Sequence, residues 1–313
     1  MTDFFENIGT DVRSPGRSRP DYDDPLPYKL SAQGTRAWSE SDGMLWGTAQ
    51  SHTTIPSGVY RMALHDSLGP VFLRQKNDTD ALITLPDSES VKIVEEIRAF
   101  KGLRDKFQAL GFLYKRGVLM WGPPGSGKTC TLQLIMRTLM EENDGVGLLI
   151  DAPKIAGQCM QTLRRIEPTR QVVAILEDLD ALCERHGESE YLALLDGESQ
   201  IDNIVYVATT NYPERLDRRF VDRPSRFDTI RYIGMPQKEA RAAYFKDKVE
   251  GARIADYVKA SDGYSVAHLR ELVILTQCFG LSLAAACERL DKTRRAPPSS
   301  DKAPDRPKFG FQG

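Results

Sequence analysis

Eight residues constrain this chain more than any others. The segment GPPGSGKT, Gly122 to Thr129, stands between the apolar run VLMW and a stretch with helical apolar spacing. Strand, glycine-rich turn and helix in that order form a P-loop, whose backbone cradles phosphate. Gly122, Gly125 and Gly127 let the backbone curl so that its N–H groups point inward, and the following helix adds the positive end of its dipole, which suits a triphosphate. Lys128 is expected to bridge the β- and γ-phosphates and Thr129 to place its hydroxyl on Mg²⁺, while Leu132, Ile135, Met136, Leu139 and Met140 turn one helical face to a sheet. The candidate ATP-binding residues are Gly122, Pro123, Pro124, Gly125, Ser126, Gly127, Lys128, Thr129 and Cys130.

Further along, VVAILEDLDAL carries five apolar residues, Val172 to Leu176, into two carboxylates, Glu177 and Asp178. Phosphoryl transfer depends on positioning and charge stabilisation, so one carboxylate is expected to hold the water shell of Mg²⁺ and the other to orient or deprotonate the attacking water. We assign Glu177, with Thr129, to the metal and Asp178 to the water. IVYVATTN is a third apolar run, ending in Asn211, which suits a polar group near the γ-phosphate. DRPSRFD then places Arg223 and Arg226 three residues apart. In an oligomer, both are expected to reach a neighbour's γ-phosphate, where a trans arginine stabilises developing charge.

These motifs resemble the AAA family from about Val91 to Leu290. RGVLMWGPPGSGKT, ILEDLDAL, YLALLDGE and ATTNYPERLD followed by RPSRFD are similar to the branch of the mitochondrial AAA chaperone that translocates the Rieske iron–sulfur protein, which shares the Glu-Asp order. The resemblance implies an α/β AAA-type P-loop NTPase, with a parallel sheet of order 5-1-4-3-2 flanked by helices, a helical lid, and hexameric or heptameric rings of self-associated subunits binding ATP at their interfaces. It implies Walker A at Lys128 and Thr129, Walker B at Glu177 and Asp178, sensor 1 at Asn211 and arginine fingers at Arg223 and Arg226. GYSVAHLRELV is similar to the lid segment G-F-S-G-A-D-L, which makes Gly263 and Ala267 candidate nucleotide contacts. DAPKIAGQCMQTLRR lacks the aromatic-apolar-Gly pore loop of threading unfoldases, and Ile155 and Met160 are the residues there that suit a pore lining or packing.

The rest of the chain sets limits. With 313 residues and 41% hydrophobic content it is long enough to bury a core. Its 42 basic and 44 acidic residues give a net charge of −2, so no global field draws nucleic acid or an anionic membrane. The five cysteines include no C-x-x-C pair, which suggests reduced thiols, and the acidic N-terminus has no export signal. The longest apolar stretch, Leu272 to Cys287, is interrupted by polar residues and falls short of the roughly 20 that a membrane span needs. A cytoplasmic protein without membrane contact is expected.

Composition suggests a flexible tail at 1–38, a small β-rich domain at 39–86 and a flexible tail at 291–313, and the resemblance implies an ATPase core at 87–233 and a helical lid at 234–290. A helix is expected to start at Asp87 and to run to Gly111. The function expected is a Mg-ATP-hydrolysing ring ATPase that remodels, moves or disassembles a protein substrate. Two alternatives stay open: a nucleic-acid-linked AAA+ ATPase, and a nucleotide-gated scaffold with slow hydrolysis.

Overall fold

The computed structural model of the chain describes residues 37–41, 44–48, 52–66, 68–75, 89–143, 145–196, 201–223, 225–246 and 248–295. The helix start expected at Asp87, the run Ala81–Leu85 and the tails expected to be flexible, except their edges at 37–38 and 291–295, lie outside these residues. Four strands come first: β1 (Ala37–Ser41), β2 (Met44–Thr48), β3 (Gly58–His65) and β4 (Gly69–Arg74). Helices α1 (Glu89–Lys101) and α2 (Arg104–Ala109) follow. The single helix expected here breaks at Gly102, where lack of a Cβ makes the helical conformation less favourable.

Five strands then alternate with helices: β5 (Lys115–Trp121), α3 (Lys128–Asn143), β6 (Val146–Leu149), α4 (Pro153–Ile166), β7 (Val172–Leu176), α5 (Leu179–His186), α6 (Glu188–Asp196), β8 (Ile204–Thr210) and β9 (Thr229–Tyr232). Every residue of β7 and β8 is buried, which is why these strands are continuous apolar runs rather than alternating ones. Their side chains alternate between two cores. Val173, Ile175, Val205 and Val207 pack with α1 and α3 on one face, and Ala174, Leu176, Tyr206 and Ala208 with α4, α5 and α6 on the other.

The described strands form one nine-stranded sheet of order β1-β2-β4-β3-β6-β7-β8-β5-β9. Counting β5 to β9 as one to five, its second half reads 5-1-4-3-2, and all these pairs are parallel. This is the AAA-type P-loop α/β fold.

The β-rich segment at 39–86 is not set apart from this sheet. Its strand β3 pairs in parallel with β6, from Gly58 opposite Val146 to Arg61 opposite Leu149. A buried carboxylate pins the junction: Glu167, just past α4, accepts bonds from Trp38 Nε1 at 2.7 Å and Ile55 N–H at 2.6 Å. Arg170 lies 3.4 Å from Glu167 and donates to the Ile55 carbonyl at 3.0 Å. Pairing with β3 on one side and β7 on the other leaves β6 with no open edge, and the strands of the β-rich segment extend the same sheet.

The lid has its own core. Helices α7 (Lys238–Lys246), α8 (Ile254–Ala260), α9 (Val266–Val273) and α10 (Leu283–Arg295) surround Phe245, Tyr257, Leu269, Leu272 and Leu275. Helix α10 runs five residues beyond the lid boundary expected at 290. Among the described residues, no helix is long and apolar enough to cross a membrane.

Candidate functional site

The P-loop joins the end of β5 to α3. At Gly122 a Cβ would lie 2.1 Å from the Ile233 carbonyl oxygen, so only glycine lets the loop begin so close to the chain leaving β9. Gly125 has φ +75°, a conformation that other residues rarely adopt. Ser126 is buried and its Oγ has no hydrogen-bond partner. Lys128, also buried, donates from Nζ to the carbonyls of Gly122 at 2.8 Å and Pro123 at 3.0 Å. Burial lowers its pKa, and the charges of Asp178 and Asp180 oppose that shift. A buried ammonium, an unpartnered hydroxyl and a curled glycine backbone fit a polyphosphate. Cys130 is exposed on the first turn of α3.

The two carboxylates leave β7 in different directions. The Glu177 pKa is raised by burial and by the charges of Asp178 and Asp151, with the Thr129 side chain opposing that shift. Carboxylate and hydroxyl together form a hard-oxygen pair that fits Mg²⁺. Asp178 is left-handed at φ 50°, ψ 58°, a strained conformation for a non-glycine residue. Its N–H donates to Thr209 Oγ1 at 3.1 Å, and its Oδ1 accepts from Asn211 Nδ2 at 3.2 Å. The ends of β5, β7 and β8 therefore bring Lys128, Thr129, Glu177, Asp178 and Asn211 to one edge of the sheet, where the loops beyond parallel strands bind ligands.

Motif reading passed over Asp180, a buried carboxylate bonded to Thr210. The one signal was a third acidic residue in EDLD, which a helix start explains equally well.

The arginines differ from each other. Arg223 is 68% exposed, with its guanidinium 3.8 Å from Asp196. Arg226 is 7% exposed and grips Asp196 with Nε at 2.8 Å and Nη2 at 3.1 Å, while Nη1 donates to the Arg219 carbonyl. Within the subunit, the planar donor set of Arg226 is matched by the Asp196 carboxylate at the end of α6, whereas Arg223 projects outward.

In the lid, the loop entering α9 lies on the P-loop. A Cβ at Gly125 would meet Ser265 Oγ at 2.9 Å and Ala267 Cβ at 3.5 Å, and one at Gly127 would meet Val266 at 3.3 Å. Ala267 thus stands at the cradle, and Gly263, φ +70°, turns the chain into this loop. Met160 is wholly inside the core and Ile155 packs against it, so these side chains serve packing.

Residues 118–235 match the profile of the ATPase family associated with various cellular activities (AAA). A Cell division cycle protein 48 homolog from Archaeoglobus fulgidus is 31% identical over 216 residues, covering 62% of this chain and 28% of that protein. The chain thus spans under a third of the length of this relative.

Proposed function

We propose that the AAA domain held in residues 118–235 makes this chain a Mg-ATP-hydrolysing ring ATPase that remodels, moves or disassembles a protein substrate. The observation that carries the reading is the meeting of Lys128, Thr129, Glu177, Asp178 and Asn211 at one sheet edge. The finer likeness to the Rieske-translocase branch rests on the Glu-Asp order and the quoted motifs. Protein as the substrate class comes from that resemblance.

Each residue has a distinct task. Lys128 turns its ammonium from the loop carbonyls to the outer phosphates, where charge builds up in the transition state. Glu177 and Thr129 are the residues that would hold Mg²⁺ on their side of the cleft, and the ion would supply charge neutralisation at the phosphates when bound. Asp178, steadied by Asn211, orients a water and takes its proton at a carboxylate oxygen. Arg223 reaches the site of the next subunit, and Arg226 holds the loop that presents it.

The test is steady-state Mg-ATP hydrolysis measured beside oligomer size. Lys128→Ala and Asp178→Asn are expected to abolish turnover, and Asp178→Asn to retain the assembled ring with ATP. Arg223→Ala subunits are expected to bind ATP without hydrolysing it and to regain activity when mixed with Asp178→Asn subunits. Assembly with ATP but scarcely any turnover would instead identify a scaffold. Steeply salt-dependent stimulation by DNA would identify a nucleic-acid machine.

A further inference from the structure

Asn211 does not hold itself in place. Its bond to Asp178 is 3.2 Å long and lies on the exposed side of the cleft, where water competes for both partners and the net gain is small. Directly beneath it lies a stronger contact. Thr210 Oγ1 donates to Asp180 Oδ1 at 2.6 Å, within the short range of a hydroxyl bonded to a carboxylate. Thr210 is 0% exposed and Asp180 7%. The Thr210 hydroxyl also accepts the N–H of Tyr212 at 3.0 Å, so one oxygen fixes the backbone on both sides of Asn211.

The same clasp reaches the other carboxylate. Asp180 lies in the first turn of α5, two residues after the strained Asp178, whose N–H is held by Thr209 on the neighbouring strand. Thr209 and Thr210 therefore tie the end of β8 to the turn leaving β7 through two separate side-chain bonds, one on each side of Leu179. Asp180 also bears on Lys128, because its charge opposes the lowering of the lysine pKa by burial.

We propose that Thr210 and Asp180 are positioning residues for hydrolysis: their buried hydrogen bond sets the turn at Asn211 against the turn at Asp178, so that amide and carboxylate together aim the attacking water. The proposal rests on the ATPase reading and deepens it. A side chain that only supported the fold would affect all functions together, whereas this clasp acts on the chemical step through Asn211.

The experiment compares Thr210→Val, of nearly the same shape but without the hydroxyl, with Thr210→Ser, which keeps it. Thr210→Val is expected to lower kcat about tenfold or more while Mg-ATP affinity stays within about twofold. Thr210→Ser is expected to restore most of kcat. In an Asn211→Ala background, Thr210→Val is expected to lower kcat little further, because the route through Asn211 is already cut. Should Thr210→Val fail to fold, Asp180→Asn carries the test, with a smaller loss of kcat that also disappears in the Asn211→Ala background.

Three results would overturn the proposal: unchanged kcat in Thr210→Val, equal loss of kcat and nucleotide affinity, or the same fold-loss with and without Asn211. The Lys128→Ala control separates the two levels. If the wild type shows no hydrolysis that this control removes, the ATPase reading and the clasp both fall. If it does and Thr210→Val behaves normally, only the clasp falls.

Discussion

Removing Arg226 should damage the fold, and removing Arg223 should damage the chemistry. Arg226 is 7% exposed and Asp196 12%, and they share two charged hydrogen bonds. Truncation to alanine leaves a largely buried carboxylate with Arg223 at 3.8 Å and the Ser225 hydroxyl at 3.4 Å as its remaining contacts from this loop. Breaking one side of a buried pair costs about 3–5 kcal/mol, and those two contacts place Arg226→Ala toward the lower figure. At about 2–4 °C per kcal/mol for a domain of this size, the unfolding midpoint should fall by roughly 6–12 °C. Arg223 is 68% exposed, and its long contact to Asp196 contributes on the order of 0.5 kcal/mol or less, so Arg223→Ala should shift the midpoint by no more than about 2 °C. On the proposed trans role its effect falls on turnover, where such an arginine supplies about 10³-fold or more. The assay is thermal unfolding at low protein concentration without nucleotide, paired with hydrolysis in rings mixed with Asp178→Asn subunits. An Arg226→Ala protein that unfolds at the wild-type temperature yet fails to activate its neighbour would refute the inward assignment.

Two further outcomes are expected. Glu167→Ala leaves the buried Trp38 Nε1 and Ile55 N–H donors unpaired and Arg170 without its carboxylate, which should cost about 2–4 kcal/mol and red-shift tryptophan emission as water reaches the junction; unchanged stability would show that the N-terminal strands do not depend on this pin. Burial raises the Glu177 pKa above the ordinary glutamate range, so the ionised form proposed to hold Mg²⁺ is present above that raised value and lost as pH falls through it. The acid limb of kcat/KM should therefore lie above pH 4.5, the reference for glutamate, and move to lower pH as free Mg²⁺ rises; a limb insensitive to Mg²⁺ would remove Glu177 from the metal side.

The candidate site was legible because the geometry that places its residues is local. A strand, three glycines and a helix define the cradle within the segment Val118–Thr129, and the apolar runs before Glu177 and Asn211 carry them to strand ends. What escaped sequence reading depends on partners far away in the chain. Arg223 and Arg226 look alike in DRPSRFD; only Asp196, 30 residues before Arg226, makes one a strut. The pairing of β3 with β6 bridges 88 residues between Ser57 and the Gly145 carbonyl, with no periodicity to announce it. Asp180 was hidden differently, since an acidic residue in a first helical turn already has a satisfactory explanation in the helix dipole.

Where the cores lie also says what can move. β3 is hydrogen-bonded to β6 along its register, Trp38 and Ile55 are tied to Glu167, and Arg61 of β3 reaches Asp151, two residues past β6, at 3.6 Å. The N-terminal strands and the ATPase sheet thus share one core, and separating them means breaking buried bonds. The lid buries a different set of side chains around Phe245 and Leu269 and touches the cradle through Ser265 and the first turn of α9, Val266 and Ala267. Rigid-body motion between two packed bodies costs least where few buried contacts cross, so a change at the phosphate site is carried most easily to the lid. Anything bound to the N-terminal strands is instead carried by the sheet that holds Glu177 and Asp178.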